Sequence, residues 1–263
     1  MPDLSRPKPV GPWLAAAGLA AVAVGPLLYL GLQSIAWGWN WPAILPPSYG
    51  FRAWRYVVSA EAGLGTSLLN SFSIALVVAL LSVLVSLPVS RAIAHQEFRF
   101  KKLVILLLYL PVLTPPLASA MGLHLIFLRL NLTDTLIGVV LVHLIPAMPY
   151  ATLMLAGSYA RFNTDFELQA RTLGASPAMV LRHVTLPILA PGVAIAAVFA
   201  FIISWTQYLL TLLIGGGQVV TLPLSLVAFQ RSGDDAITAA ISVIFLAPAY
   251  LVFLYISRFL RDS

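Results

Sequence analysis

Cysteine is absent from the 263-residue sequence, which excludes disulfide bonds and thiolate metal sites. Charged residues are also scarce: they make up 9% of the chain, whereas soluble proteins contain about 25%. Hydrophobic residues make up 60%, and a soluble domain of this length could not bury so much apolar surface. The sequence therefore predicts an integral membrane protein, with the lipid bilayer as its first partner.

Two functional motifs are also missing. No lysine-containing P-loop occurs, so the chain lacks a common means of holding nucleotide phosphates. The net charge of +6 is not concentrated in a basic patch with interleaved aromatic residues, so we expect no nucleic-acid partner. Ser158 and His143 are the best pair for serine catalysis, but nothing in the sequence orients them. We therefore expect a chain that is not an enzyme and holds no cofactor or metal.

Long apolar runs are the main feature that is present. A bilayer core needs about 20 apolar residues per helix, and the period-2 alternation of barrel strands is missing from these runs. The sequence predicts an all-α polytopic fold with a membrane domain over 13–257 and short tails at 1–12 and 258–263. The six expected spans cover 13–37, 67–94, 103–128, 135–156, 189–213 and 236–257.

Lysine and arginine residues are distributed unevenly between the two sides of these spans. Eleven lie on the side that holds both termini, the 95–102 loop and the 157–188 segment, and four lie on the other side. Cytoplasmic segments of membrane proteins carry this excess. We expect both termini in the cytoplasm.

Ionisable residues are missing from the middle of all six spans. Carriers driven by protons or ions usually keep such residues there despite their cost, so any uphill transport would draw its energy from another chain. The polar residues that remain either hydrogen-bond between helices or line a solute path. As path candidates the sequence offers Asn70, His124, His143, Trp205 and Gln207, the last two placed in the middle of the fifth span.

The segment from Phe162 to Gly192 is the longest one on the predicted cytoplasmic side. Thr164 and Glu167 have the spacing of a capping box, which predicts a short helix from Asp165 to Leu173. Gly174 follows and can adopt the left-handed conformation that ends a helix.

A second helix should follow that turn directly. Ser176 is a good N-cap, and Pro177 suits the first helical position. We expect this helix to run until Leu186 and Pro187. Phe166, Ala170 and Leu173 share one face of the first helix, so the segment should form a small amphipathic knob.

The string Leu-Gly-Ala-Ser at 173–176, followed by Leu186–Pro187, resembles the cytoplasmic EAA loop of permease subunits in binding-protein-dependent ATP-binding-cassette importers. In that family the loop forms coupling helices that seat in a cleft of the ATPase. The family's Glu-Ala-Ala would fall on 168–170, where only Ala170 matches, and the nearest carboxylate is Glu167. The resemblance assigns coupling to Glu167, Ala170, Leu173, Gly174, Ala175, Ser176, Leu186 and Pro187.

The same resemblance implies a type I importer permease fold in the bacterial inner membrane. It implies two ATP-binding subunits that bind ATP and Mg, a second and different permease subunit, and an extracytoplasmic solute-binding protein. The binding protein would approach the 38–65 loop, Asn131 to Asp134 and the 214–235 segment.

The overall pattern is most similar to the polyamine branch of this family, with thiamine, iron and inorganic anions as rival solutes. Two other classes of function also fit the composition. One is a self-contained channel or facilitator, and the other is a membrane scaffold that transports nothing.

Overall fold

The computed structural model describes residues 11–39 and 42–259, so the predicted tails at 1–12 and 258–263 fall largely outside it. Helices dominate the described residues. They are α1 (Gly11–Ile35), α2 (Arg52–Val57), α3 (Leu64–His95), α4 (Lys101–Leu113), α5 (Pro116–Arg129), α6 (Leu136–Ala160), α7 (Asp165–Thr172), α8 (Pro177–Val180), α9 (Leu186–Trp205), α10 (Leu209–Gly215), α11 (Leu222–Ser232) and α12 (Asp235–Phe259).

Four minor elements complete the fold. Strands β1 (Ala36–Trp37) and β2 (Ser48–Tyr49) form one antiparallel pair, with Ala36 opposite Tyr49. A short 3-10 helix covers Ala60–Ala62, and a π-helical turn covers Leu181–Thr185 between α8 and α9. The prediction of an all-α class is confirmed.

Five helices in the described residues are long and apolar enough to cross a membrane, and a bent helix pair could supply a sixth span. The continuous third span expected over 103–128 is wrong, because α4 and α5 meet at 107°. Thr114 is extended, with a ψ of 147°, as is usual before a proline. Two consecutive prolines follow, and Pro116 starts α5 because its missing N–H is not needed there.

The fifth span expected over 189–213 also differs. Helix α9 ends at Trp205, and α10 begins at Leu209. The Thr206 hydroxyl donates to the carbonyls of Ile202 and Ile203, at 2.9 and 3.3 Å. Such bonds back to the preceding turn compete with the helix and bend it.

The chain divides into two compact units, and each is described by itself. The first contains the chain up to Leu64 together with Leu226–Tyr250. Within it, the Trp54 indole donates to the Ser34 hydroxyl at 3.1 Å, and the Arg52 guanidinium donates to Asp234 at 2.7 Å. These bonds connect α2 with the end of α1 and with the start of α12.

The second unit contains Gly65–Ser225 and the chain from Leu251. Its core lies where α6 packs against α9, and small residues allow the two backbones to approach closely. Ala196 and Ala200 are fully buried on α9, and a Cβ placed on Gly192 would overlap the Ser158 hydroxyl and lie 2.7 Å from the Ser158 Cβ. Helix α3 joins this core through Thr152, whose hydroxyl donates to Ser86 at 2.9 Å.

We predict that Gly192→Leu lowers the free energy of unfolding by about 1–3 kcal/mol, because the added side chain forces α6 and α9 apart. Gly157→Leu is the matched control, since a Cβ at Gly157 meets nothing within 4 Å. Reversible denaturation of the purified protein in mixed micelles measures both. Equal stability of the two variants would contradict the close packing at Gly192.

Candidate functional site

The 162–192 segment forms the predicted helix, turn and helix. Gly174 has a φ of +86°, a value that favours glycine. The N–H of Ala175 bonds the Ala170 carbonyl at 3.0 Å, and this bond ends α7. The Ser176 hydroxyl accepts from the Met179 N–H at 3.4 Å, and Pro177 takes the first position of α8. The local turn chemistry expected for these residues is therefore confirmed.

The capping box expected at Thr164 and Glu167 is wrong. Thr164 makes no side-chain cap, and the Asn163 side chain instead accepts from the Asp165 N–H at 2.9 Å. Glu167 cannot reach back because its side chain is bound elsewhere.

Glu167 is 4% exposed and faces the membrane domain. Its two carboxylate oxygens accept from the Arg91 guanidinium, at 3.0 and 2.5 Å. The Thr185 hydroxyl donates to one of the same oxygens at 2.6 Å. Burial raises the pKa of Glu167, but the hydrogen bonds from Arg91 and Thr185 outweigh it, so the pKa lies below the ordinary carboxyl value. Glu167 therefore ties α7 to α3 and to the π turn.

Three large apolar side chains on α7 and at its end are open to solvent. Leu173 is 89% exposed, and Phe166 and Leu168 are about half exposed. Ala170 and Ala175 are partly buried. We call α7, the Gly174 turn and α8 the knob. Large exposed apolar side chains beside a fixed carboxylate are typical of a surface that another protein covers.

Leu186 and Pro187 do not end the second helix as expected. The helical path runs unbroken from Pro177 to Trp205, and these two residues begin α9. Pro187 has no N–H, and its ring disfavours a regular turn before it. The π turn at Leu181–Thr185 widens the helix at that place, which is a common way to absorb such a fault. The knob is therefore continuous with α9.

The five path candidates do not lie together. Asn70 donates to the Val220 carbonyl at 3.0 Å, and His143 is bound on both sides, by Ser204 and by Thr211, each at 2.9 Å. Asn70 therefore joins α3 to the segment before α11, and His143 joins helices to one another. His143 in particular connects α6 with both sides of the break between α9 and α10.

Trp205 and Gln207 lie at the break after α9 and not in the middle of a span. Trp205 is buried and stacks on Phe201, with ring centroids 5.8 Å apart. His124 is partly buried, and its Nδ1 has no hydrogen-bond partner in the described part of the chain. Gln207, by contrast, lines a cavity in the described part of the chain.

The cavity beside Gln207 has a volume of about 270 Å³ and lies where both helix breaks meet. Thr114 and Ser119 come from the α4–α5 bend, and their hydroxyls are 2.6 Å apart. Tyr150 comes from α6. Sequence reasoning missed these three residues, and it also missed Arg91 and Thr185 as partners of Glu167. The consecutive prolines at 115–116 were the signal that could have located the cavity.

We predict that Glu167→Gln lowers the free energy of unfolding by about 1–3 kcal/mol, since Arg91 loses a charged partner and Thr185 a strong acceptor. Glu97→Gln is the matched control because Glu97 pairs with Lys101 at the surface, where such pairs contribute about 0–1 kcal/mol. The contribution of Glu167 should disappear as pH falls from the ordinary carboxyl pKa of 4.5 through the lower pKa of the folded state. Unfolding measured against pH would contradict this if wild type and Glu167→Gln responded identically.

Known proteins similar to this chain match it over most of its length. The molybdenum transport system permease protein ModB of Mycobacterium tuberculosis is 31% identical over 255 residues, which cover 91% of this chain and 90% of ModB. The diacetylchitobiose uptake system permease protein DasC of Streptomyces coelicolor is 27% identical over 220 residues, which cover 82% of this chain and 79% of DasC.

A solved structure confirms the permease fold. The chain matches one from a bacterial ABC transporter involved in the import of the acidic polysaccharide alginate, with a TM-score of 0.78, 18% identity and coverage of 98% of this chain and 99% of that chain. A family model described as the binding-protein-dependent transport system inner membrane component matches residues 86–262, which include the whole knob. The chain therefore belongs to this family and is a multi-pass permease component of the inner membrane.

Proposed function

We propose that this permease forms one half of a solute path and transmits the motion of an ATPase through the 162–192 segment. The observation that carries the proposal is the structure of the knob. Phe166, Leu168 and Leu173 are exposed there, while Arg91 and Thr185 bind the Glu167 carboxylate. When a partner moves such an apolar surface, its rigid attachment to the membrane helices can transmit the movement to the helix that follows. A self-contained channel or a scaffold would not need an exposed apolar surface that is fixed to a membrane-spanning helix.

The proposed complex contains further chains. Two ATP-binding subunits would bind ATP and Mg, and one of them would cover the knob. A second, different permease subunit would supply the other half of the path, and a solute-binding protein would deliver solute at the opposite face. The uneven distribution of lysine and arginine supports an orientation with the knob and both termini in the cytoplasm.

The path proposed for the solute passes the cavity at Gln207. Transporters commonly place their solute site where membrane helices are interrupted, because irregular backbone is tolerated only beside protein or water. Here the α4–α5 bend and the α9–α10 break meet, and Thr114, Ser119, Tyr150 and Gln207 bring hydroxyl and amide groups to one place.

An inorganic oxyanion is the solute class that we favour among those left open by the sequence. The polar groups lining the cavity are hydroxyls and an amide, and no carboxylate is among them. Hydroxyl and amide donors suit an oxyanion, whereas a polyamine would need opposite charge. The similarity to ModB, whose name specifies molybdenum transport, supports the same choice. The resemblance to the polyamine branch stays a prediction.

Gly174→Val tests the coupling role. A β-branched residue strains the left-handed turn, so the knob should no longer fit its ATPase. We expect normal assembly in the membrane and loss of the ATP hydrolysis that solute and binding protein stimulate. Gly174→Asn is the matched control, since asparagine tolerates positive φ. Wild-type stimulation in the valine variant would refute the coupling role.

Gln207→Leu tests the solute path. We expect the KM for molybdate uptake to rise by about tenfold, the loss of one hydrogen bond of roughly 1.4 kcal/mol, while assembly and basal ATP hydrolysis persist. Gln218→Leu is the control, because Gln218 is an exposed glutamine outside this cavity. Uptake assays with molybdate, trehalose and spermidine in proteoliposomes would identify the solute class. Unchanged uptake of all three by Gln207→Leu would exclude this cavity from the path.

A further inference from the structure

The first unit contains a polar pocket that the proposed transport mechanism does not use. Its volume is about 390 Å³, and it lies at the end of α1 and the start of α12. Gln33 comes from α1, Trp39 from the segment after β1, Arg52 from α2, and Ser232 and Asp235 from the α11–α12 junction. All of these residues belong to the first unit.

Gln33 is the unusual residue in this pocket. Its side chain is 6% exposed, and its Oε1 has no hydrogen-bond partner in the described part of the chain. A buried acceptor without a partner costs about 1–3 kcal/mol, so such groups call for a specific explanation. A ligand that donates a hydrogen bond to Gln33 would provide one.

Three side-chain donors around the pocket already make a hydrogen bond. The Arg52 guanidinium donates to Asp234 at 2.7 Å and lies 4.8 Å from the centre of the Trp37 ring. The Trp39 indole donates to the Ala43 carbonyl at 2.9 Å. The Ser232 hydroxyl donates to the Phe229 carbonyl at 2.7 Å. The Trp39 indole and the Ser232 hydroxyl have each used their single donor, and the positive charge of Arg52 is paired with Asp234.

The pocket also contains two carboxylates, Asp234 and Asp235. Each oxygen of Asp234 already accepts one hydrogen bond, one from Arg52 and the other from the Ile237 N–H at 3.1 Å. Asp235 forms no ion pair with the described residues and is exposed. It lies in the first turn of α12. The pocket therefore presents a carboxylate and an amide oxygen that both lack donors.

We propose that this pocket binds one ammonium or guanidinium group, which donates to Gln33 Oε1 and pairs with Asp235. Either group carries several N–H donors and a positive charge, which match the two free acceptors. The same chemistry could come from a small free amine or from a lysine or arginine side chain of a partner protein at this end of the molecule.

Equilibrium dialysis of radiolabelled agmatine tests the proposal on the full chain, purified with its associated subunits in nanodiscs without ATP. We expect saturable binding that Asp235→Asn weakens by about tenfold, the effect of losing one charge-assisted hydrogen bond. Asp235→Glu should bind agmatine almost as well as wild type. Glu61→Gln is the matched control, since it removes an exposed carboxylate from the same unit without touching the pocket.

Gln33→Met separates a binding role from a structural one. Methionine removes the unsatisfied acceptor, so the thermal unfolding midpoint should rise while agmatine binding weakens several-fold. A variant that is both less stable and unchanged in binding would overturn the proposal. So would Asp235→Asn binding as tightly as wild type, or Glu61→Gln binding as weakly as Asp235→Asn.

A second measurement distinguishes the two sources of the cation. ATP-dependent uptake of agmatine into proteoliposomes would identify a transported amine, whereas binding without uptake would identify a site for a partner's side chain. Because the dialysis uses no ATP, the binding result stands even if the proposed coupling through the knob fails.

Discussion

The buried carboxylate of Glu167 is the interaction that fixes the knob to the rest of the second unit. It joins three parts of the chain that are distant in sequence: Arg91 on α3, α7 itself, and Thr185 in the π turn before α9. A carboxylate taken out of water is stable only when charged and neutral donors satisfy it, and here both oxygens are occupied. The knob is therefore held at a fixed orientation, while the side chains of Phe166, Leu168 and Leu173 stay exposed to a partner.

That attachment determines where a push on the knob can go. The helical path from Pro177 to Trp205 is continuous. With a rise of about 1.5 Å per residue, it can carry movement of the knob along the length of α9. The π turn is the place where this helical path bends most easily, because its hydrogen bonds depart from the regular pattern. Thr185 lies in this turn and donates a hydrogen bond to Glu167. Movement of α7 would thus reach α9 through two connections, the Gly174 turn and the Glu167–Thr185 bond.

Local chemistry was predictable from the sequence, and long-range partners were not. The Gly174 turn and the Ser176 N-cap depend on residues within a few positions of each other, and both were predicted correctly. Glu167 was assigned to a local cap because its true partner, Arg91, lies 76 residues earlier. Five apolar spans followed from length and composition alone. The contacts of Asn70 with Val220 and of His143 with Ser204 and Thr211 could not follow from either, because each depends on how the chain packs.

Prolines also show which features of the fold the sequence can predict and which it cannot. Pro88, Pro146 and Pro149 lie inside continuous helices, since a single missing donor can be tolerated when neighbours compensate. The two consecutive prolines at 115–116 interrupt the helix. The backbone before the first proline is extended, and the second proline starts a new helix. The break after Trp205 involves no proline at all; Thr206 bonds back to the preceding turn, and His143 holds Ser204 and Thr211 on either side. One cause is visible in the sequence and the other only in the packed structure, yet both breaks border the cavity at Gln207. A cavity formed by two independent interruptions can change shape when either helix moves, which is the property that a gated solute path requires.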